Sequence, residues 1–222
     1  MNTQNDMKRN AALEAVKYVP PGEYIGVGTG STVAYFIEAL GAIRDQVRGA
    51  VSTSESSTRL LQEQGIRVVD LAEAGRLSLY VDGADEVNHS LHMIKGGGAA
   101  LLAEKVVASA AKQFVCIADE SKYVSKLGAF PLPVEVVPFA RAWVATELIR
   151  LGGSPQLRLD VTTLGGHQIL DVSGLNLDEP MKMEDTINRI PGVMENGLFG
   201  HRPADVLLLG RADGSVQVLQ AR

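Results

Sequence analysis

A chain of 222 residues with 45% hydrophobic and 21% charged residues has the composition of an ordinary globular α/β protein, long enough to bury one large core or two smaller ones. A formal net charge of -5, with no cluster of Lys and Arg interleaved with aromatics, argues against a nucleic-acid surface, and no apolar run reaches the roughly 18 residues of a membrane span. The single Cys116 leaves no intrachain disulfide, and the polar stretch from Met1 to Arg9 lacks the apolar segment of a secretory signal, so a cytoplasmic location is expected.

In chain order, residues 5–18 carry Met7, Ala11, Ala12, Ala15 and Val16 at helical spacing, and Pro20-Pro21-Gly22 stops that helix. A short strand follows over residues 24–27. Gly28-Thr29-Gly30-Ser31-Thr32 then leads into a helix whose apolar face is Val33, Phe36, Ile37 and Leu40. Free N–H groups at that helix start, with three hydroxyls beside them, suit a phosphate. The glycines from Gly26 to Gly30 also resemble a dinucleotide fingerprint, with Glu55 as the ribose-binding acid. Ser31, however, stands where the third Gly or Ala would be, and the hydroxyls favour a monophosphate. Phosphate binding therefore ranks first, a plain tight turn second and a nicotinamide cofactor third.

Residues 49–54 read as a strand ending in the hydroxyl-rich Ser52-Thr53-Ser54-Glu55-Ser56-Ser57. Leu60 and Leu61 belong to the next helix, closed by Gly65, and residues 66–69 and 77–81 read as two more strands. The densest chemistry comes next. Asp82, Gly83, Ala84 and Asp85 follow directly on the apolar run 77–81, at the carboxyl end of a buried strand, where open α/β sheets place their ligands. Lys95 precedes Gly96, Gly97 and Gly98, whose backbone N–H groups are able to turn towards one anion. A plain turn needs one glycine, and each costs about 0.5 to 1 kcal/mol of backbone entropy. A helix is predicted from near Ala99, with Glu104 about two turns in and Leu102, Val106 and Ser109 at helical spacing. Taken singly, Asp82 and Asp85 read as turn residues, and Lys95 and Glu104 as solvated surface charges. Three carboxylates, one ammonium and an anion nest in one segment read as an active site.

Residues 114–118 form another apolar strand, which buries Cys116 and leads into the polar loop from Asp119 to Lys122. Strands alternating with helices predict a parallel sheet with helices on both faces, and the polar loops 29–32, 52–57, 82–86 and 119–122 should converge at one sheet edge. After Phe130-Pro131-Leu132-Pro133 the pattern changes. Strand 134–137, helix 139–151, strands 156–159 and 168–172, helix 180–190 and strand 193–198 give the order βαββαβ, the ferredoxin-like unit. Residues 204–209 and 215–219 form a hairpin that returns to the first sheet. The expected fold is therefore a Rossmann-like parallel α/β sheet over residues 1–130 and 204–222, with an inserted ferredoxin-like α+β subdomain over 131–203. Trp143 and Phe139 are expected in the core of the second unit. His89, His92, His167 and His201 show no ligand spacing, so no metal site is expected.

The motifs Gly28-Thr-Gly-Ser-Thr32, Asp82-Gly-Ala-Asp-Glu86, Lys95-Gly-Gly-Gly-Ala-Ala100 with Glu104-Lys105, Phe130-Pro-Leu-Pro-Val-Glu135 and Gly197-Leu-Phe199 resemble the ribose-5-phosphate isomerase A family through almost all of the chain. The resemblance implies an aldose–ketose isomerase that interconverts D-ribose 5-phosphate and D-ribulose 5-phosphate in the non-oxidative pentose phosphate pathway. It implies no metal or organic cofactor, and a homodimer or homotetramer. Carried over by motif, the substrate contacts are Thr29, Gly30, Ser31, Thr32, Asp82, Gly83, Ala84, Asp85, Lys95, Gly96, Gly97, Gly98 and Lys122, with Glu104 as the proton acceptor. The chain departs from many relatives at Ala103, where they have Arg.

The residues fit that chemistry independently of the resemblance. Moving a carbonyl from C1 to C2 needs one base that takes a proton from one carbon and returns it to its neighbour, a role for Glu104. The enediolate oxygen between the two steps needs a fixed positive partner, which Lys95 and nearby N–H groups supply. Asp82 and Asp85 are then left to position the sugar hydroxyls and shuttle protons between O1 and O2. A sugar-phosphate-sensing module and a nicotinamide-dependent dehydrogenase remain as rivals, and turnover of ribose 5-phosphate without added cofactor discriminates against both.

Overall fold

In a computed structural model that describes residues 3–221, helix α1 (Gln4–Val16) opens on a capping box in which Thr3 accepts the Asp6 N–H and the Asp6 carboxylate accepts the Thr3 N–H. Met1 and Asn2 of the polar N-terminal stretch, and Arg222, lie outside the described residues. The chain continues through β1 (Tyr24–Val27), α2 (Ser31–Leu40), β2 (Gly49–Ser52), α3 (Glu55–Glu63), a single turn α4 (Leu71–Ala74), β3 (Leu77–Asp82), β4 (Glu86–Val87), β5 (Met93–Ile94), α5 (Leu101–Ala110) and β6 (Ala111–Asp119). There follow β7 (Leu132–Val136), α6 (Arg141–Arg150), β8 (Ser154–Leu157), β9 (Gln168–Ser173), α7 (Pro180–Asn188), β10 (Val193–Asn196), β11 (Leu198–Phe199), β12 (Val206–Gly210) and β13 (Val216–Gln220). Contacts group these elements into two compact units. The first runs up to Ala84, through Ala103–Tyr123, and again from Ala204; the second comprises Asp85–Leu102 and Val124–Pro203.

The first unit is a six-stranded sheet in the order β13-β12-β6-β3-β1-β2, flanked by helices. All neighbours pair in parallel except β12 with β13, the hairpin that closes one edge. Its inner strands are buried on both faces, which is why they read as unbroken apolar runs. Ile25, Val27, Phe36, Ile37, Val81 and Ile117 are among the fully buried side chains of this core. From β1 the chain passes to β2 on one side, and β3 lies on the other, so the carboxyl ends of β1 and β3 bound the switch point where open α/β sheets form a ligand crevice. Gly28 stands just beyond the first of those ends, and Asp82 is the second. Cys116 is fully buried mid-sheet, registered against Asp82 on one side and Leu207 on the other.

The strand expected over residues 66–69 is reduced to one bridge, Ala50 with Val68. Ala50 N–H donates to the Arg67 carbonyl at 2.9 Å and Val69 N–H to the Ala50 carbonyl at 3.0 Å. The partner β2 is only four residues long, and Asp70 already begins the turn of α4, so no longer ladder forms.

The second unit holds a four-stranded antiparallel sheet in the order β10-β7-β9-β8, the ferredoxin-like arrangement of a βαββαβ unit. Val134, Val136, Val144, Leu148, Leu170 and Ile187 fill its core. The strand expected over 193–198 breaks at Gly197. Its first part pairs with β7, and Leu198–Phe199 leaves to build a separate three-stranded sheet, β11-β5-β4. Gly197 sits against the Lys95 carbonyl and Pro133, where no Cβ fits. Phe139 and Trp143 are not core residues: they are 99% and 50% exposed. Helix α6 turns Val144 and Leu148 inward, an i, i+4 pair, and this leaves Trp143 and the preceding turn outside. Among the described residues no helix is long and apolar enough to cross a membrane.

Candidate active site

In the first unit the site is built around Asp82, the last residue of β3, whose side chain is fully buried. Its Oδ1 accepts the N–H groups of Thr29 at 3.1 Å and Gly83 at 2.7 Å, and its Oδ2 accepts the hydroxyl of Tyr80. Gly28 makes room for this carboxylate, because a Cβ at that position would overlap it. The same fact disposes of the dinucleotide reading. The space a pyrophosphate would need beside the second glycine is occupied by a negative carboxylate. Gly26, the first glycine of that pattern, instead lets Val107 of α5 and the Tyr80 ring pack directly on β1.

Tyr80 is fully buried, with its ring tilted against Phe114 at 4.8 Å. Burial pushes its hydroxyl well above the usual tyrosine range, and the charges of Asp82 and Glu104 push the same way. It therefore stays protonated and donates to Asp82. Glu104 is 3% exposed on α5. The helix starts at Leu101, later than the sequence predicts, because Ala99 adopts a left-handed φ of 60° that no helix tolerates. Glu104 thus lies in the first turn, where the positive end of the helix dipole favours a carboxylate. The buried face of α5 is Leu101, Glu104, Lys105, Val107 and Ala108, whereas Val106 points to solvent at 47% exposure.

The loop from Thr29 to Thr32 belongs to the same unit. Gly30 has a φ of 103°, open to glycine alone at little cost, and Ser31 starts α2. Behind the loop lies a hydroxyl cluster: Ser54 donates to Thr29 Oγ1 at 2.8 Å, and Ser57 donates to the Gly28 carbonyl at 2.7 Å. Lys8 of α1 reaches Ser31 Oγ at 3.1 Å, bringing a cation to the loop. Lys122 ends a 3-10 turn that Asp119 caps through the Ser121 N–H. Lys8 and Tyr80 were not singled out from sequence, whereas the hydroxyl-rich loop that supplies Ser54 and Ser57 was expected beside residues 29–32, where it lies. Lys8 reads there as one surface cation on a helix, and only the fold brings it to residue 31.

In the second unit Asp85 accepts the Gly97 N–H at 2.8 Å, and a Cβ at Gly97 would crowd that carboxylate. Gly96, with φ 106°, is wedged against Leu101 and Pro133, whereas Gly97 and Gly98 are exposed. Lys95 is 3% exposed, its ammonium 5.5 Å from the centre of the Phe199 ring. Its N–H donates to the Gly197 carbonyl at 2.9 Å. His167 pairs with Glu135 at 2.9 Å and His201 with Asp185 at 2.9 Å. Among the described residues no group of three or more His, Cys, Asp or Glu is arranged to hold a metal ion.

Residues 49–214 match the family of ribose 5-phosphate isomerase A (phosphoriboisomerase A). A ribose-5-phosphate isomerase A of Neisseria meningitidis serogroup C is 59% identical over 215 residues, covering 97% of this chain and 96% of its own. The crystal structure of ribose 5-phosphate isomerase A from Neisseria gonorrhoeae is similar with a TM-score of 0.98 at 57% identity, over 100% of this chain and 99% of its own. A D-ribose-5-phosphate isomerase in complex with phospho-erythronic acid is similar with a TM-score of 0.94 at 38% identity, over 99% of this chain and 100% of its own.

Proposed function

The chain belongs to the ribose 5-phosphate isomerase A family and isomerises ribose 5-phosphate, and from that premise we propose which of its residues perform each step. Glu104 is the base. It removes the C2 proton of the open-chain aldose, holds it while an enediolate exists, and returns it to C1 to give the ketose. Support comes from its burial in the first turn of α5 and from the Tyr80 hydroxyl, which feels the charges of both Glu104 and Asp82.

Asp82 takes a positioning and proton-transfer role on the sugar oxygens. Three donors fix its orientation, so its carboxylate does not reorganise when charge moves on the substrate. Asp85 has the matching role in the second unit. Lys95 and the N–H groups of the Gly96-Gly97-Gly98 turn that Asp85 does not engage supply the positive charge that the enediolate oxygen needs. Burial of Lys95 against Phe199 strengthens that charge by keeping water from it. Thr29, Gly30, Ser31 and Thr32, joined by Lys8, hold the phosphate, and Lys122 is a further substrate contact. Phospho-erythronic acid, bound by the relative above, is a phosphorylated sugar acid whose planar carboxylate resembles an enediolate in charge, which favours the same division into phosphate and enediolate subsites.

A homodimer or homotetramer in the cytoplasm is part of the same proposal. The exposed apolar pair Phe139 and Trp143 favours self-association. The observation that carries the catalytic reading is the buried Asp82 carboxylate, held by three donors at the carboxyl edge of the sheet, with a second buried carboxylate, Glu104, in the same unit. Purified protein given ribose 5-phosphate alone should form ribulose 5-phosphate. Dependence on an added nicotinamide cofactor would overturn the assignment.

A further inference from the structure

Behind the glycine turn of the second unit stands a side chain that nothing above assigns. Arg158 follows β8 directly, and its N–H continues the ladder to the Ile169 carbonyl at 2.9 Å. Gln156 is registered against Asp171, so Arg158, two residues on, shares the sheet face of Asp171 and meets it diagonally. One edge of the guanidinium grips that carboxylate: Nε donates to Oδ2 at 2.8 Å and Nη2 to Oδ1. The remaining nitrogen, Nη1, donates to the carbonyls of Gly96 at 2.9 Å and Gly97 at 3.1 Å. The pair is only 16% and 27% exposed. An ion pair made for solubility would not spend its third nitrogen on two consecutive glycine carbonyls.

We infer that Arg158 is a positioning residue for the reaction: clamped by Asp171, it pins two successive carbonyls of the glycine turn and so fixes where the N–H groups of Gly97 and Gly98 point. The reason is the planarity of the peptide. In a trans peptide the carbonyl of one residue and the N–H of the next point in opposite directions. Holding the Gly96 carbonyl on Arg158 turns the Gly97 N–H away, and that N–H is the one that binds Asp85. Holding the Gly97 carbonyl likewise turns the Gly98 N–H away from Arg158, on the exposed side of the turn. Glycines adopt many conformations, so a turn of three has no orientation of its own. A planar fork with five donors is suited to this task, because it binds a carboxylate with one edge and still keeps donors for carbonyls. Lysine, a single point charge on a flexible stem, is not.

The inference rests on the reading of Lys95 to Gly98 as the turn that faces the enediolate. Mispositioning of a catalytic group by about 1 Å costs on the order of 100-fold in rate. Arg158→Lys keeps the charge and loses the fork, so its kcat should fall about 10- to 100-fold while KM for ribose 5-phosphate changes less than about threefold. Inhibition by phospho-erythronic acid should weaken in parallel with kcat. Asp171→Asn should give a milder loss of the same kind, and millimolar guanidinium should restore part of the activity of Arg158→Ala. A folded Arg158→Lys enzyme with kcat within twofold of wild type overturns the inference, as does a loss confined to KM. If Arg158→Ala does not fold, the lysine and asparagine variants decide alone. Lys95→Gln separates the two levels of the argument. If Lys95→Gln loses turnover and Arg158→Lys does not, only this inference fails; if Lys95→Gln retains wild-type kcat, the reading of the turn fails and the inference with it.

Discussion

Replacing Glu104 by Gln removes one negative charge and almost nothing else, which makes the cost to folding separable from the cost to chemistry. The side chain is 3% exposed in the first turn of α5, and glutamine has the same shape, so no cavity opens. The lost interaction with the helix start is worth about 0.3 to 1 kcal/mol. For a chain of this length that lowers Tm by at most about 4 °C. The chemical loss is far larger, because a positioned general base contributes about 10²- to 10⁴-fold, or about 2.7 to 5.4 kcal/mol of barrier at 1.36 kcal/mol per decade. The assay is ketose formation from ribose 5-phosphate, paired with exchange of its C2 proton into deuterated solvent. Turnover should fall by at least two orders of magnitude, exchange should stop, and substrate affinity should change little. A folded Glu104→Gln protein with wild-type kcat and exchange would refute the assignment and pass the base role to Asp82 or Asp85.

The Ser31→Ala/Thr32→Ala double variant should raise KM more than it lowers kcat, since these hydroxyls serve the end of the substrate that does not react; steady-state kinetics with retained KM and lost kcat would contradict this. Exhaustive chelation should leave turnover intact, and activity lost on chelation and restored by a divalent ion would displace Lys95 as the partner of the enediolate. Tyr80 titrates well above its ordinary value of 10.0 in the folded chain, so its contribution to stability is full below that value and is lost as pH rises beyond it towards the folded value. Urea titrations between pH 8 and 11 should therefore show a steeper alkaline decline for wild type than for Tyr80→Phe, by about 1.4 kcal/mol per pH unit above about pH 10, and equal slopes would refute the buried donor. Light scattering at micromolar concentration should give a mass above the 23.7 kDa of one chain, and a monomer alone would refute assembly.

The parallel sheet and the ferredoxin-like order were legible because buried strands read as apolar runs and the turns between them are marked by Gly, Pro and Asp. The candidate residues of the site were legible because their types are costly without a function: three glycines in a row, and carboxylates at the end of a buried strand. Helix α5 shows where such reading stops. Its apolar residues at 102 and 106 pointed to one face, but the protein buries Glu104 and Lys105 together with Leu101, Val107 and Ala108, and polarity is a poor guide to a face that takes charges inward. Trp143 and Phe139 misled in the opposite sense, since hydrophobicity alone does not say whether the second surface is the core or another molecule. Lys8 and Arg158 were silent because each acts through a contact 23 or 62 residues away that has no local spelling, and Tyr80 because it reads as one more residue of the apolar run 77–81. The sheet β11-β5-β4 was missed for the same reason, its strands being two residues each.

Cys116, the only cysteine of the chain, lies wholly inside the sheet, one strand from the residue that holds the substrate's oxygens on our reading. Its side chain stands out of the plane of the strands, so a thiol-alkylating reagent reaches it only when the packing over the central strands opens. The rate of labelling is then a clock for rare openings of the central strands, one signal per chain with no engineered probe. Bound ribose 5-phosphate should slow that clock in proportion to its occupancy, so a single chemical reaction in the dark interior reports both the stability of the sheet and the saturation of the site above it.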